Sequence, residues 1–427
     1  MFYARCAPAR AVSIGIAFLA AFTAPSAVAQ TPRYTIVDLH KFGANASEAW
    51  SISRDGAVVG DFQAFARGRQ SAFRWSDGQR IEYPLPLGTI SAQGHVAGMG
   101  GMALITARLP QVVGRTNLPR SFLIAINGDY QELPPLAGDN ASQAVGVNTQ
   151  GVAVGVSTLF IGGPYDPLKT ETRAVMWVDG RPIEVFPSRP GQVSWANDIS
   201  EDGAILGASR DPAGVTHAWI LAGGSLTPLA SPKGASSYSP IAINRYRAVV
   251  GTALDAATFT FRAMADFGAG PFDLGDLGGN NAAAFDINDR GQIVGVALQA
   301  DGSPRGFLVE NGQMVDLTSY ISPDSGWIIE SANSVNDNGW IVGAGRRLDN
   351  PVIRRAILLK PIQRNALQPA CVADRTGDHV VNASDLLAVL AGWGNAFAAN
   401  DLLMVLQQWG ATCDTPTSTG GILSKQE

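Results

Sequence analysis

The stretch AFDINDRGQIVGVA (284–297) recurs along the chain, as ANDISEDGAILGA (196–208), ANSVNDNGWIVGA (332–344) and, more worn, AWSISRDGAVVG (49–60). Repetition of one turn limits the fold sharply, because every copy makes the same local structure and must bury its face against the next copy. Asn288-Asp289-Arg290-Gly291 reads as a type I turn closed by a glycine. That glycine can take a left-handed conformation without a Cβ clash, and the turn reverses a strand. A second hairpin signal follows in GFLVENGQMVDL (306–317), with Asn311-Gly312 between apolar β-formers. It recurs as AFRWSDGQRIEY (72–83), FLIAINGDYQEL (122–133) and AVMWVDGRPIEV (174–185). Each unit therefore holds two hairpins, or four strands.

The glycine ending the first-hairpin pattern falls at 60, 98, 155, 207, 251, 295 and 343. Seven units of such size suit a radial array of four-stranded sheets, so the fold expected is all-β, a seven-bladed β-propeller over 30–361. YTIVDL (34–39) stands alone before the first unit, while RRAILLKP (354–361) ends the seventh one strand short. The N-terminal strand is thus expected to complete the last sheet, closing the ring and hiding an open edge. A β-solenoid is the alternative. It tolerates the same repetition but needs capping at both ends and leaves YTIVDL without a role. Two units break the pattern: the second keeps ISAQGHVAG but carries a long insertion, and the fifth has FRAMADFGAGPFDLGDL where a tight turn belongs. Trp75, Trp177 and Trp219 read as equivalent positions, with Phe307 substituting in unit six, a periodicity that suits packing between blades.

Residues 1–29 read as a signal peptide. Arg5 and Arg10 precede the apolar run AVSIGIAFLAAF, and Ala27-Val28-Ala29 offers a cleavage site. The run is short for a bilayer span, which needs about 20 apolar residues, so no membrane span is expected in the mature chain. The destination is export: secreted, cell-surface or periplasmic. The formal charge of −5 becomes more negative without those two arginines, and no basic cluster marks a nucleic-acid partner. Charged residues make up only 16% of the chain against 48 Gly and 25 Pro, a profile of short strands and tight turns.

Beyond a join at 362–370 the register changes. In DRTGDHVVNASD (374–385), Asp374, Thr376, Asp378, Val380, Asn382 and Asp385 fall at positions one, three, five, seven, nine and twelve of a calcium loop, Val380 through its carbonyl. Such spacing can wrap oxygen donors around Ca2+, although His379 stands where glycine usually makes the sharp turn. NDLLMVLQQWG (400–410) echoes SDLLAVLAGWG (384–394), both helical in length and pattern, without room for a second loop between them. Cys371 and Cys413 bracket this 371–414 unit and could pair in an oxidising compartment. Residues 415–427 form a polar tail.

Two resemblances follow from these motifs. Residues 34–360 resemble the extracellular repeat family named for its His-Ala-Phe (HAF) signature, traced here in His217-Ala218-Trp219, Ala72-Phe73 and Gly306-Phe307-Leu308. The 371–414 unit resembles type I dockerin-related domains, through Cys371-Val372-Ala373-Asp374, Gly377-Asp378-His379-Val380-Val381-Asn382, Asp385-Leu386-Leu387 and Trp393-Gly394. The likeness implies a small α-helical dockerin-like domain that attaches to a surface or assembly. Dockerins bind cohesins with two calcium loops, and loss of the second loop argues against a cohesin partner.

The four His residues, at 40, 95, 217 and 379, make no ligand pattern, and no GxSxG elbow follows a strand. Asp55, Asp202 and Asp289 recur at one turn position, as side chains bonding nearby backbone N–H groups would. The function expected is a non-catalytic exported scaffold that binds an extracellular protein or glycan through propeller loops. The alternative is a carbohydrate-active enzyme with carboxylates gathered at a channel mouth.

Overall fold

The computed structural model describes residues 32–362, apart from 41–43, 65–69, 84–95, 98–101, 111–116, 125–129, 162–168, 187–191 and 311. The signal segment, the calcium loop with Asp374, Thr376, Asp378, Val380, Asn382 and Asp385, the Cys371–Cys413 pairing and the dockerin-like unit lie outside the described residues. The described residues fold into seven four-stranded antiparallel sheets in a β-propeller arrangement. In chain order they occupy 44–83, 96–133, 141–184, 193–228, 235–273 and 278–316, and the seventh joins 327–361 to the strand Tyr34–Asp38. The two short 3-10 turns, Leu317–Tyr320 and Pro323–Ser325, link the sixth and seventh sheets.

YTIVDL lies where the sequence places it. Tyr34 pairs with Pro361 and Asp38 with Ile357, antiparallel along the strand Asn350–Pro361. Hydrogen bonds from Ile362 N–H to Arg33 O (2.8 Å) and from Leu39 N–H to Ala356 O (2.9 Å) extend the ladder at both ends. A strand from the far end of the chain completing the last sheet removes the solenoid alternative, whose coils stack without joining first to last.

Between sheets the core is a series of apolar layers. Ala196, Ile199, Ile205 and Trp219 of the fourth sheet pack on Val154 and Ala174 of the third. Phe307 and Val309 of the sixth pack on Val250 and Ala265 of the fifth. Val342, Ala356 and Leu358 of the seventh meet Ala49, Ile52 and Phe73 of the first. No sheet could bury both faces alone, so each neighbour supplies the missing half.

Strand register corrects one expectation. Trp219 lies opposite Gly207 and Phe307 opposite Gly295, whereas Trp75 faces Val58 and Trp177 faces Ala153, two residues further along the third strand. The tryptophans therefore share a face but occupy two successive positions, and Phe73, opposite Gly60, is the true counterpart of Phe307. Trp177, Trp219, Phe73 and Phe307 are all fully buried. The fifth sheet also departs as its sequence hints. Its last strand is only Phe272–Asp273, and in place of a tight turn the Asp266 carboxylate accepts from Gly268 and Gly270 N–H (2.8 and 3.0 Å).

Candidate functional site

The first strand of six of the seven units carries the feature that shapes the centre of the molecule. Pairing with the second strand slips by one residue between Ala49 and Ser51, Ala144 and Gly146, Ala196 and Asp198, Pro240 and Ala242, Ala284 and Asp286, and Ala332 and Ser334. The skipped residue is a β-bulge, which re-aims a side chain out of the regular alternation. The skipped residues are Trp50, Val145, Asn197, Ile241, Phe285 and Asn333, and every one lines a central cavity of about 540 Å³. Each is partly exposed while the residue before it is buried.

The repeat glycines make these bulges possible. A Cβ on Gly60, Gly155, Gly251, Gly295 or Gly343 would lie 2.0–2.2 Å from the carbonyl oxygen two residues before the bulge, and on Gly207 2.6 Å from the oxygen of Trp195. On Gly207 it would also stand 2.3 Å from the Trp219 ring, and on Gly295 2.7 Å from Phe307. One hydrogen thus lets the bulge close on one side and the core aromatic settle on the other.

Turns at one end of the cavity are tied sheet to sheet. Within each turn the opening side chain accepts from the backbone: Asn288 Oδ1 from Arg290 and Gln292 N–H (3.0 and 2.9 Å), Asn336 Oδ1 from Asn338 and Trp340 N–H (both 3.0 Å). The amide's other end reaches the next sheet. Asn244 Nδ2 donates to Asn288 O (3.1 Å), Asn288 to Asn336 O (2.9 Å) and Asn336 to Ser53 O (2.9 Å). This relay crosses three successive sheet boundaries, including the one between the last sheet and the first. Asp286 adds a second clip, its Oδ2 accepting from Val335 N–H and Ser334 Oγ, and Asp198 a matching one through Ile243 N–H (2.9 Å).

Burial pushes the Asp198 carboxyl up to about 7, opposed by its N–H donors and reinforced by the charge of Asp286, and burial raises Asp286 as well. The acids at the mouth are engaged too. Glu201 accepts from Thr149 N–H (3.1 Å), Asp289 pairs with Arg245 (2.6 Å), and Asp337 accepts from Asp289 N–H (2.9 Å). The sequence predicts that Asp55, Asp202 and Asp289 bond nearby backbone N–H groups. Asp289 does so, accepting from Arg245 N–H (3.0 Å); Asp55 and Asp202 accept instead from the hydroxyls of Ser53 and Ser200 within their own turns, and Asp202 and Asp289 also hold arginines of an adjoining unit. The fifth unit has Arg247 where its relatives have the turn glycine. It adopts φ +66° and places its guanidinium 2.6 Å from Asp202 of the fourth unit, holding that carboxyl well below the usual range. Among the described residues no group of three His, Cys, Asp or Glu side chains could hold a metal ion. Spacing along one strand does not mark these positions as bulges, although their place three residues before each turn-opening Asn or Ser is open to view.

No family model and no curated protein matches the chain. Solved structures similar to it share little sequence. A TolB from Agrobacterium tumefaciens is 15% identical, covering 55% of this chain and 82% of that one, with a TM-score of 0.40. The β-propeller domain of the Trilobed protease from Pyrococcus furiosus is 12% identical over 64% and 82%, at 0.45. A puromycin hydrolase mutant is 13% identical over 75% of this chain and 51% of its own, at 0.48. Among the described residues no helix is long and apolar enough to cross a membrane.

Proposed function

We propose that this chain is an exported, non-catalytic binding scaffold: a seven-bladed ring closed by its N-terminal strand and followed by a dockerin-like attachment module of the kind its sequence resembles. The observation that carries the non-catalytic reading is the state of the acids around the cavity. Asp198, Glu201, Asp286, Asp289 and Asp337 all accept hydrogen bonds that join one sheet to the next. A hydrolytic pair needs one carboxyl free to give a proton and another free to take a proton from water or to attack the sugar itself. Here both oxygens of Asp198 already face backbone N–H groups of Ile199 and Ile243.

The test is turnover against binding. Purified protein should retain extracellular glycan or cell-wall material without releasing product, and Asp198→Asn and Asp286→Asn should lower stability while changing no catalytic rate. Product release abolished by either substitution would establish the carbohydrate-active enzyme instead. For the C-terminal module, calorimetric titration with Ca2+ should give saturable heat that Asp374→Ala and Asp378→Ala remove, since calcium needs concentrated oxygen donors to replace its water shell. Absence of calcium-linked heat in the wild type would reject that metal site.

A further inference from the structure

We propose that the axial cavity binds a small neutral carbohydrate through the bulge residues that project into it, a site that rests on the binding-scaffold reading above and gives it a ligand. Its volume of about 540 Å³ lies within the range of small-molecule sites, roughly 300–1,000 Å³. The choice of ligand follows from the wall. Trp50 and Phe285 contribute flat apolar surface, and Val145 and Ile241 smaller apolar faces. Asn197 and Asn333 contribute amides whose Nδ2 groups are committed to the carbonyls of Pro240 (2.6 Å) and Ala49 (2.9 Å). The second N–H of Asn333 goes to Glu48 Oε1 (2.9 Å), so that amide offers a guest its Oδ1 acceptor, whereas Asn197 keeps one N–H besides its Oδ1, and a hydroxyl can pair with either. Ser51, Ser239 and Ser334 place further polar groups along the same wall.

Charge narrows the class. Leaving aside Asp198 and Asp286, whose burial favours the neutral acid, the lining acids Glu201, Asp289 and Asp337 still outnumber Arg54 and Arg245, so an anion meets an unfavourable field. A cation gains little specific contact in return. The Asp198 and Asp286 oxygens are turned to backbone N–H groups, and Arg245 already holds Asp289. A neutral polyol with one apolar face suits this combination: C–H groups stack on the aromatic rings and hydroxyls reach the amides. Sheet-to-sheet variation at the bulge, with the preceding Ala nearly constant and the Gly it pairs with on the next strand constant, lets the ring change its guest without changing its frame.

The experiment uses the intact protein and saturation-transfer NMR with a panel of neutral mono- and disaccharides, their uronic acid and amino-sugar counterparts, and choline. The expected result is binding of at least one neutral sugar, weakened at least tenfold in Trp50→Ala and Phe285→Ala and unchanged in Phe272→Ala. Phe272 is an exposed aromatic on the fifth sheet, away from the cavity lining. Ile241→Trp fills the lumen without deleting a contact and should also abolish binding, which covers the case in which an alanine variant fails to fold. Thermal midpoints are measured for every variant. No neutral sugar bound, preference for the charged counterparts or choline, or binding lost in Phe272→Ala and kept in Ile241→Trp would each overturn the cavity site. Cavity-dependent binding accompanied by release of a cleaved sugar would uphold the site and overturn the non-catalytic reading.

Discussion

Asp198 is a carboxylate that the fold uses for its geometry and strains for its charge. Its oxygens join Ile199 and Ile243 across a sheet boundary, yet burial lifts it to about 7, against an ordinary value of about 4. Between those values the folded protein keeps a proton that the unfolded chain releases, so this group's contribution to stability falls as pH rises through the window. Asp198→Asn should flatten the slope of thermal midpoint against pH between 4 and 7. The difference between wild type and variant isolates Asp198 from Asp286 and Asp316, which burial also raises. At pH 7 the variant should lose about 1–3 kcal/mol, because an amide NH2 must face one of the two N–H donors. A slope identical to wild type would mean that the carboxyl is not held in this environment. Asp202 acts in the opposite direction: its pKa is lowered by Arg247, so its contribution is present above the ordinary carboxylate value and is lost in strong acid. Arg247→Gly relieves the strained φ of +66° but removes the ion pair. Its effect on stability should therefore be small at pH 7, within about 1 kcal/mol, since exposed pairs contribute little. Urea denaturation of both proteins reads it directly.

The repeated hairpin was legible as an element because its turn chemistry is local. Gly291 adopts φ +74°, and Asn288 caps the turn as an Asn before a glycine is suited to do. The second glycine of the motif, Gly295, was legible only as a landmark. Its reason is the carbonyl of Ala283 and the ring of Phe307, neither adjacent to it in sequence. The same distance hid the bulge, which exists only in the pairing of two strands, and misaligned Trp75 and Trp177 with Trp219, which spacing along one strand cannot resolve. The two glycines should therefore fail differently. Gly291→Ala has nothing within 4 Å and meets only the left-handed backbone, a cost of about 1–2 kcal/mol. Gly295→Ala places a Cβ 2.0 Å from a carbonyl oxygen, so either the bulge or Phe307 must move, at a cost of about 3 kcal/mol or more. Chemical denaturation midpoints for the pair, with Gly343→Ala as a second instance of the tight class, check the ordering; equal losses would contradict the assignment of the bulge.

At the scale of the molecule, closure depends on contacts between chain ends about as far apart as the described fold allows. Tyr34 pairs with Pro361, packs beside Tyr320 and sits in the same core layer as Leu359 and Ile341. Every other sheet is built from consecutive hairpins, so the seventh is the one whose completion waits for the rest. Contacts of such sequence separation form late, because the loop-closure entropy precedes any gain from pairing. The last link of the Asn relay, from Asn336 to Ser53 O, can then engage only when the last sheet stands beside the first. Deleting residues 30–40 should thus do more than remove one strand. It exposes the outer edge of Asn350–Pro361 as a pairing template, uncovers Leu359, and withdraws the support that holds the seventh sheet against the first. The expected outcome is a thermal transition lowered by many degrees, loss of a single cooperative step, and concentration-dependent association. A synthetic peptide of residues 32–40 added in excess should restore both the midpoint and the monomer, by binding the folded ring alone. If the deletion variant unfolds in one step at the wild-type temperature, the N-terminal strand contributes nothing to closure, and the stiffness ascribed to the cavity wall must come from the sheet-to-sheet clips alone.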